Sequence, residues 1–264
     1  MPFTEGNIKF LESLNCSVSE NFSQGEVSMD KNEGMEVLNK IPVKFDLEKV
    51  LKDLKVSARV QANQIGLVKK LIEIAIALIS PKAVYKVAYV ENKTDTTVDI
   101  NGVQFKSRVL RKNLDKVERV FLYIATIGKK LEDKAASTKD LLEQYYLEEI
   151  ANLTLDYTIE YLEKYLKTKY RIRQLSTMEP GSLKDWPITQ QKELFSIFGN
   201  TQKIIGVSLT DSFLMIPRKS VSGIFFPTEI KFYTCQLCPR KGCTQRKAPY
   251  DPKIAQSYKG LPIV

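Results

Sequence analysis

The sequence predicts an α+β fold, an antiparallel sheet with helices packed against it. Three observations carry that expectation. Segments with the two-residue alternation of strands and segments with the recurrence of helices come in clumps, not in strict strand–helix–strand order. Asn101-Gly102 sits between two short alternating runs, the strongest local signal for a hairpin. The chain has 264 residues, 43% of them apolar and 27% charged, which is enough to enclose a substantial core.

The elements follow in order. Residues 1–40 read as an arm with little structure beyond a short helix at 8–14. Residues 46–54 predict a short helix opened by Asp46 as N-cap. Over 60–79 the spacing of Ile65, Val68, Ile72, Ile76 and Ile79 predicts a longer one, widened by Leu71 and Ala75 and ended by Pro81. Residues 84–90 alternate as a strand, and 96–100 with 103–105 form the hairpin. Residues 117–126 (VERVFLYIAT) predict a buried strand, and 129–136 a helix. Residues 141–169 predict a long helix, because Tyr145, Tyr146, Ile150, Leu153, Tyr157, Tyr161 and Leu162 recur at three- and four-residue spacing. A loop follows at 176–185, then a helix over 190–198 closed by Gly199. Runs at 204–209, 213–216 and 224–226 read as strands. The expected division is an arm (1–40), an α+β domain (41–230) and a basic, Cys-rich segment (231–264).

Composition excludes several chemistries. The sequence has no histidine, so it holds no Ser-His-Asp or Cys-His catalytic group and no His-ligated zinc, iron or corrinoid of its own. Acid–base work would fall to Asp, Glu, Lys, Tyr or Cys. The first residues do not read as a signal peptide, and the most apolar window, 66–80, is short and interrupted by Lys69, Lys70 and Glu73. The expectation is a soluble cytoplasmic protein without membrane partners. The net charge is +9, and seven bases against one acid beyond residue 230 supply +6 of it.

That same segment holds Cys235, Cys238 and Cys243, a C-x2-C-x4-C motif. Thiols at this spacing can chelate one centre, and nearby Lys and Arg favour the thiolates. A closed zinc site would need a fourth ligand, Cys16 or another residue. An iron–sulfur cluster could use three cysteines alone or recruit Cys16. The spacing favours a bound metal or cluster over three free thiols, with iron–sulfur ahead of zinc.

The stretch 179–233 resembles the activation (reactivation) domain of vitamin B12-dependent methionine synthase, in a stand-alone form with an added C-terminal Cys motif. Three pieces carry the likeness. Pro180-Gly181 is followed by QQKELFSIF at 190–198; IGVSLTDS at 205–212 is followed by Met215 and Pro217; and Ser220-Val221-Ser222-Gly223 precede Phe225-Phe226. The helix at 155–162 also fits, extending the similarity over 45–235. The resemblance implies a bent antiparallel sheet flanked by helices, whose concave side meets a cobalamin carried by a corrinoid-binding protein or methyltransferase. In that family, inactive Co(II) is restored by one electron and a methyl group from S-adenosylmethionine (AdoMet). Asp156 would face the cationic end of AdoMet, the backbone of Glu179, Pro180 and Gly181 would cradle it, and Ser220, Val221, Ser222, Gly223, Phe232 and Tyr233 would complete the cofactor-binding surface. Two positions depart from the pattern: the arginine that grips the AdoMet carboxylate is Thr177, and the tyrosine is Ser182. A threonine cannot supply a bidentate guanidinium–carboxylate pair, and Glu179 would repel that carboxylate.

The resemblance therefore implies reactivation of a corrinoid methyltransferase partner, and the position of the Cys motif, two residues after Tyr233, adds the expectation of an iron–sulfur centre that supplies the electron. One alternative is an AdoMet-binding activation subunit with a structural zinc. Another, a nucleic-acid-binding zinc module, is disfavoured because the basic tail interleaves only Tyr250 and Tyr258 and lacks a recognition-helix pattern.

Overall fold

The computed structural model describes residues 26–30, 34–54, 62–243 and 246–258. The helix expected at 8–14 and Cys16 lie outside the described residues. An eight-stranded antiparallel sheet forms the centre: β1 (Glu26–Asp30), β2 (Met35–Asn39), β3 (Lys82–Lys93), β4 (Thr97–Ile100), β5 (Val103–Lys106), β6 (Arg119–Thr126), β7 (Leu175–Met178) and β10 (Ser220–Pro227). The spatial order is β1-β2-β3-β6-β10-β7, with β4 pairing with the far end of β3 and then with β5. A bulge between Val90 and Lys93 shifts the β3–β4 register. A small separate ribbon pairs β8 (Ser208–Leu209) with β9 (Met215–Ile216).

Helices cover both faces. They are α1 (Leu47–Asp53), α2 (Ala62–Leu78), α3 (Arg108–Asn113), α4 (Lys130–Ser137), α5 (Leu141–Lys169), α6 (Gln191–Ser196), α7 (Thr201–Ile205) and α8 (Pro252–Ser257). Strand β6 is buried on both sides because its two sets of side chains enter two different cores. Val120, Leu122 and Ile124 meet α3, Trp186, Phe198 and the C-terminal Phe232, Leu237 and Tyr258. Phe121, Tyr123 and Ala125 meet the second half of α5 through Leu162 and Leu166. A third, helical cluster joins α1, α2, α4 and the first half of α5. Among the described residues, no helix is long and apolar enough to cross a membrane.

Several local expectations hold. The Asp46 side chain accepts from the backbone N–H of Lys49 at 3.1 Å and caps α1. Asn101 and Gly102 both take positive φ, 52° and 74°, the turn that matches the twist of paired strands. The long helix spans Leu141–Lys169.

Other expectations are corrected. Residues 35–39, read as part of an arm, form β2, which pairs with β3 in the register Met35↔Lys86 to Leu38↔Ala83 and buries Met35 and Leu38. Residues 204–209 are not one strand. Asn200 accepts from the Lys203 N–H, and Gly206 takes a left-handed φ of 76°, so caps at both ends make 201–205 a short helix. The buried stripes hold at Val68, Ile72, Tyr146, Ile150 and Leu162 and depart at single positions. On α2, Leu71 and Ala75 enter the core while Ile76 is 55% exposed; on α5, Tyr145 faces out. Thr154 and Thr158 are buried instead, each hydroxyl donating to the carbonyl four residues back, at 2.7 and 2.8 Å. That bond satisfies the hydroxyl, so threonine can occupy a core position that hydrophobicity alone does not mark.

Candidate functional site

The resemblance-derived residues divide into those that converge and those that do not. Asp156, on α5, accepts from the Lys247 ammonium at 3.1 Å. Glu179, just after β7, accepts from the Thr177 hydroxyl at 3.1 Å and the Tyr123 hydroxyl at 3.3 Å, and its charge acts on the same Lys247. Lys247 in turn donates its backbone N–H to Cys235 Sγ at 3.5 Å. Asp156, Glu179, Tyr123, Lys247 and Cys235 thus form one connected group drawn from four parts of the chain.

The loop after β7 is held tightly. The Gly181 N–H donates to the Trp186 carbonyl at 2.7 Å, and Pro180 is buried. Gly181 has φ of +86°, a left-handed conformation that favours glycine, and a Cβ there would also press on the Ile188 side chain. Ser182, though exposed, donates to the Glu179 carbonyl at 2.6 Å and braces the loop.

Strand β10 supplies the floor. A Cβ at Gly223 would approach the Met178 carbonyl to 2.8 Å and the Tyr123 ring to 2.9 Å. Its absence lets Tyr123 lie flat beside β7, stacked on Phe225 at 4.5 Å between centroids, with its hydroxyl aimed at Glu179. The rest of the Ser220–Gly223 run is inside the fold. Ser220 donates to Thr126 Oγ1 at 2.9 Å, Val221 packs against the sheet's helical side, and Ser222 is buried. Phe232 is a core side chain whose N–H donates to Ser176 Oγ at 2.7 Å, and its ring packs against Tyr258. Tyr233 is half-buried, with the Lys231 ammonium 5.5 Å from its ring centre.

The cysteine loop is organised by an arginine. The Arg246 guanidinium donates to the carbonyls of Cys235 (3.0 Å), Cys238 (3.1 Å) and Ala248 (3.4 Å), and also to Arg240. Cys235, Cys238 and Cys243 are free and half-buried. Among the described residues no three Cys, Asp or Glu side chains converge into a group that could hold a metal ion. The thiols are the right donors for zinc or iron, but their present arrangement does not fit a three-ligand centre. The basic excess has found internal partners: Lys247 on Asp156, and Lys231 on Glu163 at 2.7 Å.

Burial dominates the electrostatics. It pushes the Glu179 carboxyl above the ordinary value of 4.5, against the pull of Lys247, Thr177 and Tyr123. It also drives the Tyr123 hydroxyl well above 10, helped by the adjacent Glu179. For Lys247, burial works against the charge, but Asp156, Glu179 and Cys235 outweigh it and hold the ammonium above 10.5. A carboxyl raised in the folded state gives stability that is present below pH 4.5 and is lost as pH rises through its folded value. Glu179→Gln is therefore expected to be at least as stable as the parent at pH 7, and to lose that advantage below about pH 4. Urea midpoints of the two proteins across this range test it.

The sequence pointed to Asp156 and Glu179 but missed Tyr123, Lys247 and Arg246. Tyr123 sits in an apolar run that reads only as core, and the basic residues around the cysteines read as companions of the thiolates, with nothing local to link Lys247 to Asp156.

No curated protein matches the chain by sequence. A solved structure described as the MetH reactivation domain bound to AdoHcy superimposes with a TM-score of 0.53 at 15% identity, covering 76% of this chain and 80% of that one. That likeness matches the expectation of a bent antiparallel sheet flanked by helices. The sequence model of the vitamin B12 dependent methionine synthase activation domain matches residues 162–245, a segment that runs from the second half of α5 through β7 and β10 into the cysteine loop. Residues 162–245 therefore carry the signature of the vitamin B12 dependent methionine synthase activation domain, set in the fold of the MetH reactivation domain.

Proposed function

We propose that this protein reactivates a corrinoid methyltransferase: it docks over the cobalamin of a partner protein and supports return of the cobalt from Co(II) to its active state. The observation that carries this reading is the match over 162–245, because the matched segment contains Glu179, Pro180, Gly181 and the β10 strand beneath them. The chain's own contribution is orientation. Tyr123, Thr177 and Asp156 fix charged and polar groups at one place on a rigid sheet, and holding two reactants in register is itself a large part of catalysis.

The cysteine loop has a separate standing. Binding of an iron–sulfur cluster or zinc, with Cys16 as a fourth ligand, would require Cys235, Cys238 and Cys243 to draw their thiols together. An AdoMet role rests on Asp156 as counter-ion and lacks the arginine at Thr177.

The test uses the full chain, prepared anoxically, mixed with a cobalamin-loaded corrinoid protein in the Co(II) state. The expected result is a stable complex on gel filtration and a changed cobalt absorption spectrum that free cobalamin does not give. If the corrinoid proteins neither co-elute nor change spectrum, the reading fails. Iron and acid-labile sulfide in the same preparation would support the cluster, and colourless protein without either would remove it.

A further inference from the structure

We infer that Lys247 is the specificity-determining residue of the Asp156–Glu179 site, a cation carried by the cysteine loop that keeps positively charged ligands out while that loop is docked. The inference rests on the reading of this site as a ligand site and goes further, to the charge class it admits.

The site is a receptor for positive charge. Asp156 comes from α5 and Glu179 from the end of β7, and both act on one ammonium. Glu179 is half-buried, and its hydrogen bonds come from the neutral hydroxyls of Thr177 and Tyr123, which do not balance its charge. A cavity of about 220 Å³ opens beside Asp156, and Asp53 and Glu149 also line it. Its other wall is the pair Arg246 and Lys247. Arg246 is committed to carbonyls of the cysteine loop. Lys247 is thus the cation presented to the acidic wall.

Lys247 also belongs to the loop rather than to the sheet that builds the site. Its backbone is tied to Cys235 Sγ, 12 positions away in sequence, and its side chain crosses to Asp156, 91 positions away. The loop brings its own counter-charge to the carboxylates. A sulfonium or ammonium ligand would meet an ammonium already in place, and juxtaposed like charges oppose binding. A neutral ligand of the same shape would meet no such barrier.

S-adenosylmethionine and S-adenosylhomocysteine differ by one methyl group and the positive charge on sulfur, so they read this charge directly. Calorimetry on the full chain and on Lys247→Met is expected to show a gain of about tenfold in S-adenosylmethionine affinity on removing the lysine. The change for S-adenosylhomocysteine should be less than about twofold, because its sulfur carries no charge for the lysine to oppose. Lys247→Arg, which keeps the charge, should behave like the parent, and Asp156→Asn added to Lys247→Met should abolish the gain. Parent protein that binds S-adenosylmethionine as tightly as Lys247→Met would overturn the inference while leaving the site reading intact. Equal gains for both ligands would overturn it too, since that would mean loosened packing and not charge. Binding of neither ligand by any variant would overturn it and the ligand-site reading together, while complex formation with the corrinoid protein would still be judged by its own experiment.

Discussion

Gly223→Ala is expected to cost about 3 kcal/mol of stability, at the upper end of what overpacking does. Alanine usually stabilises a strand position relative to glycine by about 0.4–1 kcal/mol through the unfolded chain. Here the new methyl group would lie 2.8 Å from the Met178 carbonyl and 2.9 Å from the Tyr123 ring. One of those neighbours is backbone in an adjacent strand, and the other is wedged against Phe225. Neither can give without opening the β10–β7 pairing or pushing the Tyr123 hydroxyl away from Glu179. The denaturation midpoint should fall, and the loss should be readable in the fluorescence of Trp186, the single tryptophan of the chain. Gly223→Val should be worse. An alanine variant as stable as the parent would mean that β7 and β10 are not packed as described.

Trp186→Ala should cost about 3–5 kcal/mol, the range for emptying a fully buried aromatic site. Trp186 is fully buried, packs edge-on against Phe105 at 6.1 Å between centroids, and fills the core between the sheet and α6. Its indole N–H has no hydrogen-bond partner among the described residues, so Trp186→Phe gives up only volume and should cost about 1–2 kcal/mol. The alanine variant has a second expected effect. The Trp186 carbonyl accepts from Gly181 N–H, and the backbone bridges Leu183 to Trp186, so the cavity loosens the loop that carries Glu179. Amide exchange at Gly181 should accelerate more than exchange in β6. Circular dichroism follows the unfolding of both variants.

How much of this could be seen in the sequence depended on how local each determinant was. The long helix, the Asn101-Gly102 hairpin, the Asp46 cap and the doubly buried β6 are each encoded within a few turns or a few residues. Strand β2 is not: five residues acquire their structure by pairing with β3, some 45 positions later, and nothing inside them says so. At 201–205 the β-branched residues Ile204 and Ile205 favoured a strand, and two caps outweighed them. The site shows the same division. Asp156 and Glu179 could be named by resemblance, but their shared cation comes from the other end of the chain. Charge counting placed +6 beyond residue 230. It could not show that Lys231 and Lys247 turn back onto α5.

The position of Arg246 bears on what holds the cysteine loop in shape. In small zinc domains the metal is the crosslink, so removal of the ion unfolds the loop. Here one guanidinium gathers the carbonyls of Cys235, Cys238, Arg240 and Ala248. The scaffold is fastened by an organic clasp, and the thiols hang from it as replaceable fittings. The loop's frame among the described residues therefore rests on this guanidinium, and changing Arg246 would undo it even with every thiol in place.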